Sequence, residues 1–309
     1  MTTVLPAPSS SGDVVDLRTD VGATKTPEAP APKPKRDGRK IAGAVFAGVG
    51  VVVALFLAFE FFATQLIYDR SQSLLRQQLQ SLVASKEATS TMWIPADGQP
   101  IGVLTIPVIG LSTVMVQGST TSMTEQGPGH LRGTPMPGRF GNSVLLGRRS
   151  TYGAPFQRLD ELRPGDTVDV ATGAGEFTYL VATVAVIRPG EPDVTGPSND
   201  SRLTMITSSP RYMATGRFAV TAVLRGPPAE QPVSPAVAIA PTELGLEADT
   251  GGLGGFLLWI ELAAVALLGA LWLKRRVSWR VAWLLGTPLV VALLWAAFRA
   301  ADRFFPATL

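Results

Sequence analysis

Phe177–Ile187, FTYLVATVAVI, is followed downstream by Leu203–Ser208, LTMITS, and Arg217–Leu224, RFAVTAVL. All three runs are short, rich in β-branched residues and bounded by Gly, Pro or Asn, the pattern of strands rather than of amphipathic helices. Upstream, Ile101–Gly110 (IGVLTIPVIG), Ser143–Arg149 (SVLLGRR) and Asp166–Thr172 (DTVDVAT) have the same character. Residues 93–226 therefore read as one β-rich domain of six to eight closely spaced strands, a barrel or a sandwich. A barrel has the advantage that it leaves no open sheet edge on an isolated module.

Outside this domain the composition belongs to lipid. The chain has 309 residues, 46% hydrophobic and only 17% charged, with a mean hydropathy of +0.24. Ile41–Phe59 is uncharged and close to the roughly 20 residues needed to cross a bilayer, and a first membrane helix is placed at 41–66. It starts too far from Met1, and lacks a small-x-small site after it, to read as a cleaved signal peptide. Two further apolar runs, 253–273 and 281–299, are joined by the basic loop 274–280 and form a helical hairpin. Pro288 in the last run is tolerable where neighbouring helices satisfy the freed carbonyl.

The basic residues sort by side. Lys33, Lys35, Arg36, Arg39 and Lys40 precede the first span, and Lys274, Arg275, Arg276 and Arg280 lie between the other two. By the positive-inside rule both groups are cytoplasmic, which places the β domain outside a plasma membrane crossed three times. Arg299 and Arg303, after the last span, count against that count of charges. Because the basic residues cluster beside apolar segments, the pI of 9.4 is a topology signal and nucleic acid is not an expected partner. Residues 1–40 read as a disordered cytoplasmic tail, 67–92 as a stalk with Leu75, Leu79 and Leu82 at helical spacing, 227–252 as a Pro-rich linker and 300–309 as the C-terminal end. Glu261, inside the second span but near its outer end, reads as reaching water.

Chemistry is narrowed by what is missing from the composition. The chain has no cysteine and a single histidine, His130, so it contains no thiolate nucleophile and no cysteine-based metal site. Asp160, Glu161, Asp166 and Asp169 fall in RLDELRPGDTVDV without a histidine among them and read as solvated turn and strand residues. No metal and no cofactor are expected.

Ile106–Leu111 (IPVIGL), Gly127–Thr134 (GPGHLRGT), Gly141–Asn142 and Tyr152–Asp166 (YGAPFQRLDELRPGD) resemble, in order and spacing, the sortases, most of all the actinobacterial class E type. The resemblance implies an all-β eight-stranded barrel on the outer face of a Gram-positive-type membrane. Sortases use a histidine, a cysteine that attacks the carbonyl of a sorting peptide, and an arginine that holds the oxyanion. Set against those motifs, Arg148 stands at the histidine position, Ser208 at the cysteine position, and Arg217 matches the arginine. A serine hydroxyl needs an adjacent base, and a guanidinium stays protonated and offers no acceptor. The expectation is thus a catalytically degenerate, membrane-anchored sortase-like protein that binds a cell-surface peptide or membrane-protein partner in cell-envelope assembly. The alternative is a divergent transpeptidase or hydrolase that uses Ser208 on an LPXTG- or LAXTG-like sorting peptide. His130, in a turn flanked by glycines, reads as a structural or rim histidine, and serving Ser208 as a base would require the two to come within about 2.6–3.2 Å. His130, Arg148, Arg149, Thr207, Ser208 and Arg217 are the groove candidates, and their guanidinium and hydroxyl groups suggest a carboxylate or phosphate site. In the other reading of Arg148, it faces water or pairs with an acid such as Asp160.

Overall fold

The computed structural model describes residues 3, 38–89, 93–188, 194–211, 215–230 and 253–302. The expected N-terminal tail (38–40 and Thr3 apart), most of the Pro-rich linker and Arg303 lie outside the described residues.

Helix α1 (Gly38–Ala58) runs through a single π turn, Phe59–Ala63, into α2 (Thr64–Ala84). The β domain follows as β1 (Pro100–Ile106), β2 (Leu111–Gln117), the short helix α3 (Thr121–Thr124), β3 (Gly129–His130), β4 (Asn142–Leu146), β5 (Thr167–Thr172), β6 (Gly175–Ile187), β7 (Arg202–Ser209) and β8 (Gly216–Leu224). Helices α4 (Leu253–Arg276) and α5 (Trp279–Asp302) close the described chain. Of the two architectures open to the strand pattern, the structure adopts the closed barrel, in the order β1-β2-β3-β4-β7-β8-β6-β5, with β1 hydrogen-bonded to β5. The pairs β2–β3 and β4–β7 are parallel and the others antiparallel.

Local chemistry sets the turns. The apolar run Ile101–Gly110 does not make one strand. Pro107 has no N–H to give a ladder and starts a 3-10 turn, and Gly110, at φ 68°, closes it in the left-handed region before β2 begins.

Alternation along each strand divides two apolar clusters. Leu104, Met115, Leu145, Val168, Val170, Leu203, Met205, Phe218 and Val220 fill the interior. Leu131, Val144, Leu146, Ile206 and Ala219 form a second cluster on the outer face of β4, β7 and β8, with Val194 and Ile187 packed on it. Strand β7 is buried along both faces for this reason. Leu75 of α2, with Leu79 beside it, packs on Val114 and Val116, so the stalk helix lies on the outer face of β2. Gln72 strengthens that contact: its Nε2 donates to the Val114 and Gln126 carbonyls at 3.0 and 2.7 Å, and its Oε1 accepts from Val114 N at 2.7 Å.

Helices α4 and α5, 24 residues each, are long and apolar enough to cross a membrane. They approach closely where Gly286 meets Ala270, since a Cβ on Gly286 would lie 2.5 Å from the Ala270 Cβ.

Candidate functional site

The parallel register of β4 on β7 pairs Val144 with Thr204 and Leu146 with Ile206. Continued by two residues, it brings Arg148 level with Ser208. On the other side of β7, Ser208 is directly opposite Arg217 of β8. Directly paired residues project to the same face, and Ile206 and Ala219 identify that face as the outer one. The three positions singled out by motif therefore meet at one end of three adjacent strands.

Their bonds diverge. Arg148 is fully buried. Its Nη1 donates to Thr151 Oγ1 at 2.9 Å, its guanidinium lies 4.5 Å from the centre of the Tyr152 ring, and Nη2 is 4.0 Å from Glu125 Oε1. Arg149, also buried, turns to the opposite side. It donates to the Ser208 carbonyl at 2.8 Å, meets Asp160 at 2.9 Å, and sits 5.4 Å from the Phe218 ring. Asp160 thus pairs with Arg149, and the acid facing Arg148 is Glu125. Thr207 Oγ1 donates to the Gly147 carbonyl at 2.8 Å, and Ser150 Oγ to the Arg211 carbonyl at 2.7 Å. A converging anion cradle of Arg148, Arg149 and Thr207 is not what these contacts make, because each group is directed at a protein partner of its own. Arg217 is half-buried. Ser208 Oγ is buried and has no hydrogen-bond partner among the described residues.

His130 is elsewhere. It pairs with Leu145 of β4, whose side chain belongs to the interior cluster, whereas Ser208 shares the outer face with Ile206. The ring therefore projects to the other side of the sheet, two strands from β7. It is buried and both nitrogens are engaged. Nε2 lies 3.0 Å from the Pro135 carbonyl and 3.1 Å from Thr134 Oγ1, and Nδ1 lies 3.0 Å from the Gln117 side-chain amide. A carbonyl only accepts, so Nε2 carries the proton, and a neutral ring is completed when the Gln117 amide turns its NH2 toward Nδ1. Burial lowers the imidazole to about 4, against the upward pull of the Pro135 carbonyl.

A pH dependence follows from this shift. In the unfolded chain the ring titrates near 6.5, so between pH 6.5 and 4 the unfolded state binds a proton that the fold excludes. This contribution to stability is complete above pH 6.5 and is lost as pH falls toward 4, by roughly 3 kcal/mol in all. Denaturant midpoints of the detergent-solubilised chain should fall across that window, and His130→Gln should flatten the slope. An unchanged slope in the variant would assign the acid sensitivity to other groups.

The remaining acids of the 158–169 stretch serve turns and the β5–β6 pair. Glu161 accepts from Nε and Nη2 of Arg158 at 2.8 and 2.7 Å, Asp166 accepts from Arg163 N at 2.7 Å, and Asp169 from Thr178 Oγ1 at 2.7 Å. Motif reading missed three side chains around Arg148. Glu125 stands just ahead of the GPGH motif, Tyr152 opens the next one, and Arg299 belongs to α5. Arg299 Nη2 meets Glu125 Oε2 at 3.2 Å and Nη1 donates to Tyr152 Oη at 3.3 Å. Nothing in local spacing joins residues so far apart in the chain.

Residues 104–225 match the sortase domain family. Over 183 residues, 57% of this chain and 49% of the relative, the chain is 28% identical to sortase SrtE1 of Streptomyces coelicolor. Over 93 residues, 30% of this chain and 46% of the relative, it is 34% identical to sortase D of Bacillus subtilis. The chain thus spans about half the length of these curated relatives. A solved structure of a sortase D5 transpeptidase from Clostridium perfringens is similar at 26% identity and a TM-score of 0.45, covering 52% of this chain and 99% of that one. The closed barrel and the ordered motifs within it fall in the matched stretch, and residues 104–225 of this chain are a sortase domain.

Proposed function

We propose that the chain is a membrane-anchored sortase-like protein that has given up peptide transfer and holds a cell-surface peptide or a membrane-protein partner during cell-envelope assembly. The observation that carries this reading is the setting of Ser208. Its buried hydroxyl has no hydrogen-bond partner among the described residues, and the charged group on its own carbonyl is the guanidinium of Arg149. A hydroxyl becomes a nucleophile when a base within about 2.6–3.2 Å takes its proton. Arg148, level with it, cannot accept one, and His130 faces the other side of the sheet. The class E resemblance, which sets Arg148 and Ser208 at the histidine and cysteine positions, supports the same conclusion.

In this reading 41–66, α4 and α5 are three membrane spans and the barrel is extracytoplasmic. Supporting that orientation, the C-terminal end of α5 reaches the barrel through Arg299, which sends the basic loop 274–280 to the opposite, cytoplasmic side. Arg299 is then held outside by a specific carboxylate, so it no longer counts against the positive-inside assignment.

The test uses the full chain in detergent with a panel of LPXTG- and LAXTG-type peptides and an amine acceptor, read by mass spectrometry for acyl adducts and joined products. Wild type and Ser208→Ala are expected to be alike and to form neither. An Arg148→His/Ser208→Cys double variant that forms the adduct would show that the groove still seats a sorting peptide. A wild-type adduct abolished by Ser208→Ala would overturn the proposal and establish a serine transpeptidase or hydrolase.

A further inference from the structure

Around Arg148 the chain assembles a cluster that neither the barrel nor the hairpin makes alone. Glu125, at the C-terminal end of α3, has a side chain only 12% exposed and is approached by two guanidinium groups. Arg148 comes to Oε1 at 4.0 Å from the barrel side, and Arg299 to Oε2 at 3.2 Å from α5. Tyr152 is shared in the same way, its ring beneath Arg148 and its hydroxyl accepting from Arg299. A buried guanidinium is tolerated where acceptors and a counter-charge are in place, and here one carboxylate and one tyrosine serve both arginines.

The outer turn of α5 is itself fixed. Ala297, Phe298 and Ala300 are buried, on a helix whose middle exposes Leu284, Leu285, Leu289 and Val291. Phe298 meets Phe56 and Phe59, and Trp295 meets Phe59 edge to face at 4.9 Å. A cation in the last turn is also favoured by the helix dipole.

The loop that carries Arg148 depends on such contacts. Tyr152 and Ala154 have φ of 48° and 42°, left-handed conformations that non-glycine residues keep where the surroundings hold them. On one side Tyr68 of α2 lies against Gly153, and on the other Arg299 lies against Tyr152.

We infer that Arg299 is a positioning residue that couples the last membrane helix to the sortase-domain site: through Glu125 and Tyr152, the outer end of α5 sets the order of the Arg148–Ala154 loop. Anything that moves that helix within the bilayer is then felt at Arg148 and at Ser150, whose bond to the Arg211 carbonyl ties the loop to the turn after β7. This coupling does not depend on whether the site is catalytic.

The experiment is hydrogen exchange, read by mass spectrometry, on the full chain in lipid nanodiscs. Arg299→Gln is expected to speed exchange roughly tenfold in peptides covering 148–156 and 119–126, the size of effect expected when a charge-assisted bond is lost, while β5 and β6 stay unchanged. Arg299→Lys, which keeps the charge at Glu125, should restore much of the protection. Tyr152→Phe leaves the membrane helix unaltered and removes the Arg299 acceptor, so it should reproduce part of the effect even if Arg299→Gln inserts poorly. Wild-type exchange in 148–156 for both Arg299→Gln and Tyr152→Phe would overturn the inference, as would an increase spread evenly over the whole barrel.

Discussion

Arg148→Ala should lower the stability of the barrel by about 3–5 kcal/mol, while Arg148→Met should cost clearly less. The alanine variant deletes a long, fully buried side chain, leaving a cavity that the closed barrel has little freedom to collapse. It also removes the donor to Thr151, the cation above the Tyr152 ring and one of the two charges facing Glu125. Removing a fully buried cation that faces a largely buried carboxylate is among the few changes that reach this size. Methionine refills much of the stem volume, and Glu125 keeps Arg299, so no acid is left buried and unpaired. Denaturant unfolding of the detergent-solubilised chain, followed by near-ultraviolet circular dichroism, separates the two variants. A loss below about 1 kcal/mol for Arg148→Ala would mean that the guanidinium holds nothing in place.

Gly153→Ala should cost about 4 kcal/mol and Gly110→Ala only about 1–2. The two glycines have nearly the same left-handed backbone, φ 72° and 68°, so the conformational penalty for an L side chain, about 1–2 kcal/mol, is common to both. Their surroundings differ. A Cβ on Gly110 meets nothing within 4 Å, whereas one on Gly153 would lie 2.3 Å from the Tyr68 ring. Tyr68 has little room to yield, because its hydroxyl is bonded to Thr113 at 2.6 Å and burial raises that hydroxyl to about 12. Overpacking adds about 1–3 kcal/mol, and the shift is expected to loosen α2 from β2. The difference between the two unfolding free energies isolates the packing of the stalk on the site loop. Equal losses would show that Tyr68 moves aside freely.

Much of this architecture is legible along the chain because the signals are local. β-branched runs punctuated by Gly and Pro announce strands from Ile101 to Leu224, and the number of strands was bounded correctly. Barrel or sandwich stayed open from the residues alone, since closure depends on β1 finding β5 across the whole domain. Periodicity was enough to locate Leu75, Leu79 and Leu82 on one side of the stalk. It gave no hint that Gln72 is the residue that binds the β2 backbone, because a glutamine among glutamines carries no pattern.

The candidate site divides in the same way. Side-chain identity by itself determined that this protein has no thiol nucleophile, that its one histidine is His130, and that an arginine precedes Arg149 where a titratable base would be needed. These are properties of composition and of pKa, which folding cannot supply. Where those groups point was decided by the tertiary structure. Strand register placed His130 and Ser208 on opposite faces of the sheet, and the two neighbours Arg148 and Arg149 were sent in different directions, to Glu125 and to Asp160. The docking of α5 made Arg299, which read as a charge on the wrong side of a membrane, into the partner of Glu125. Charge counting treats each residue as solvated at its own place in the chain, whereas a buried carboxylate is satisfied by whichever cation the fold brings within about 4 Å.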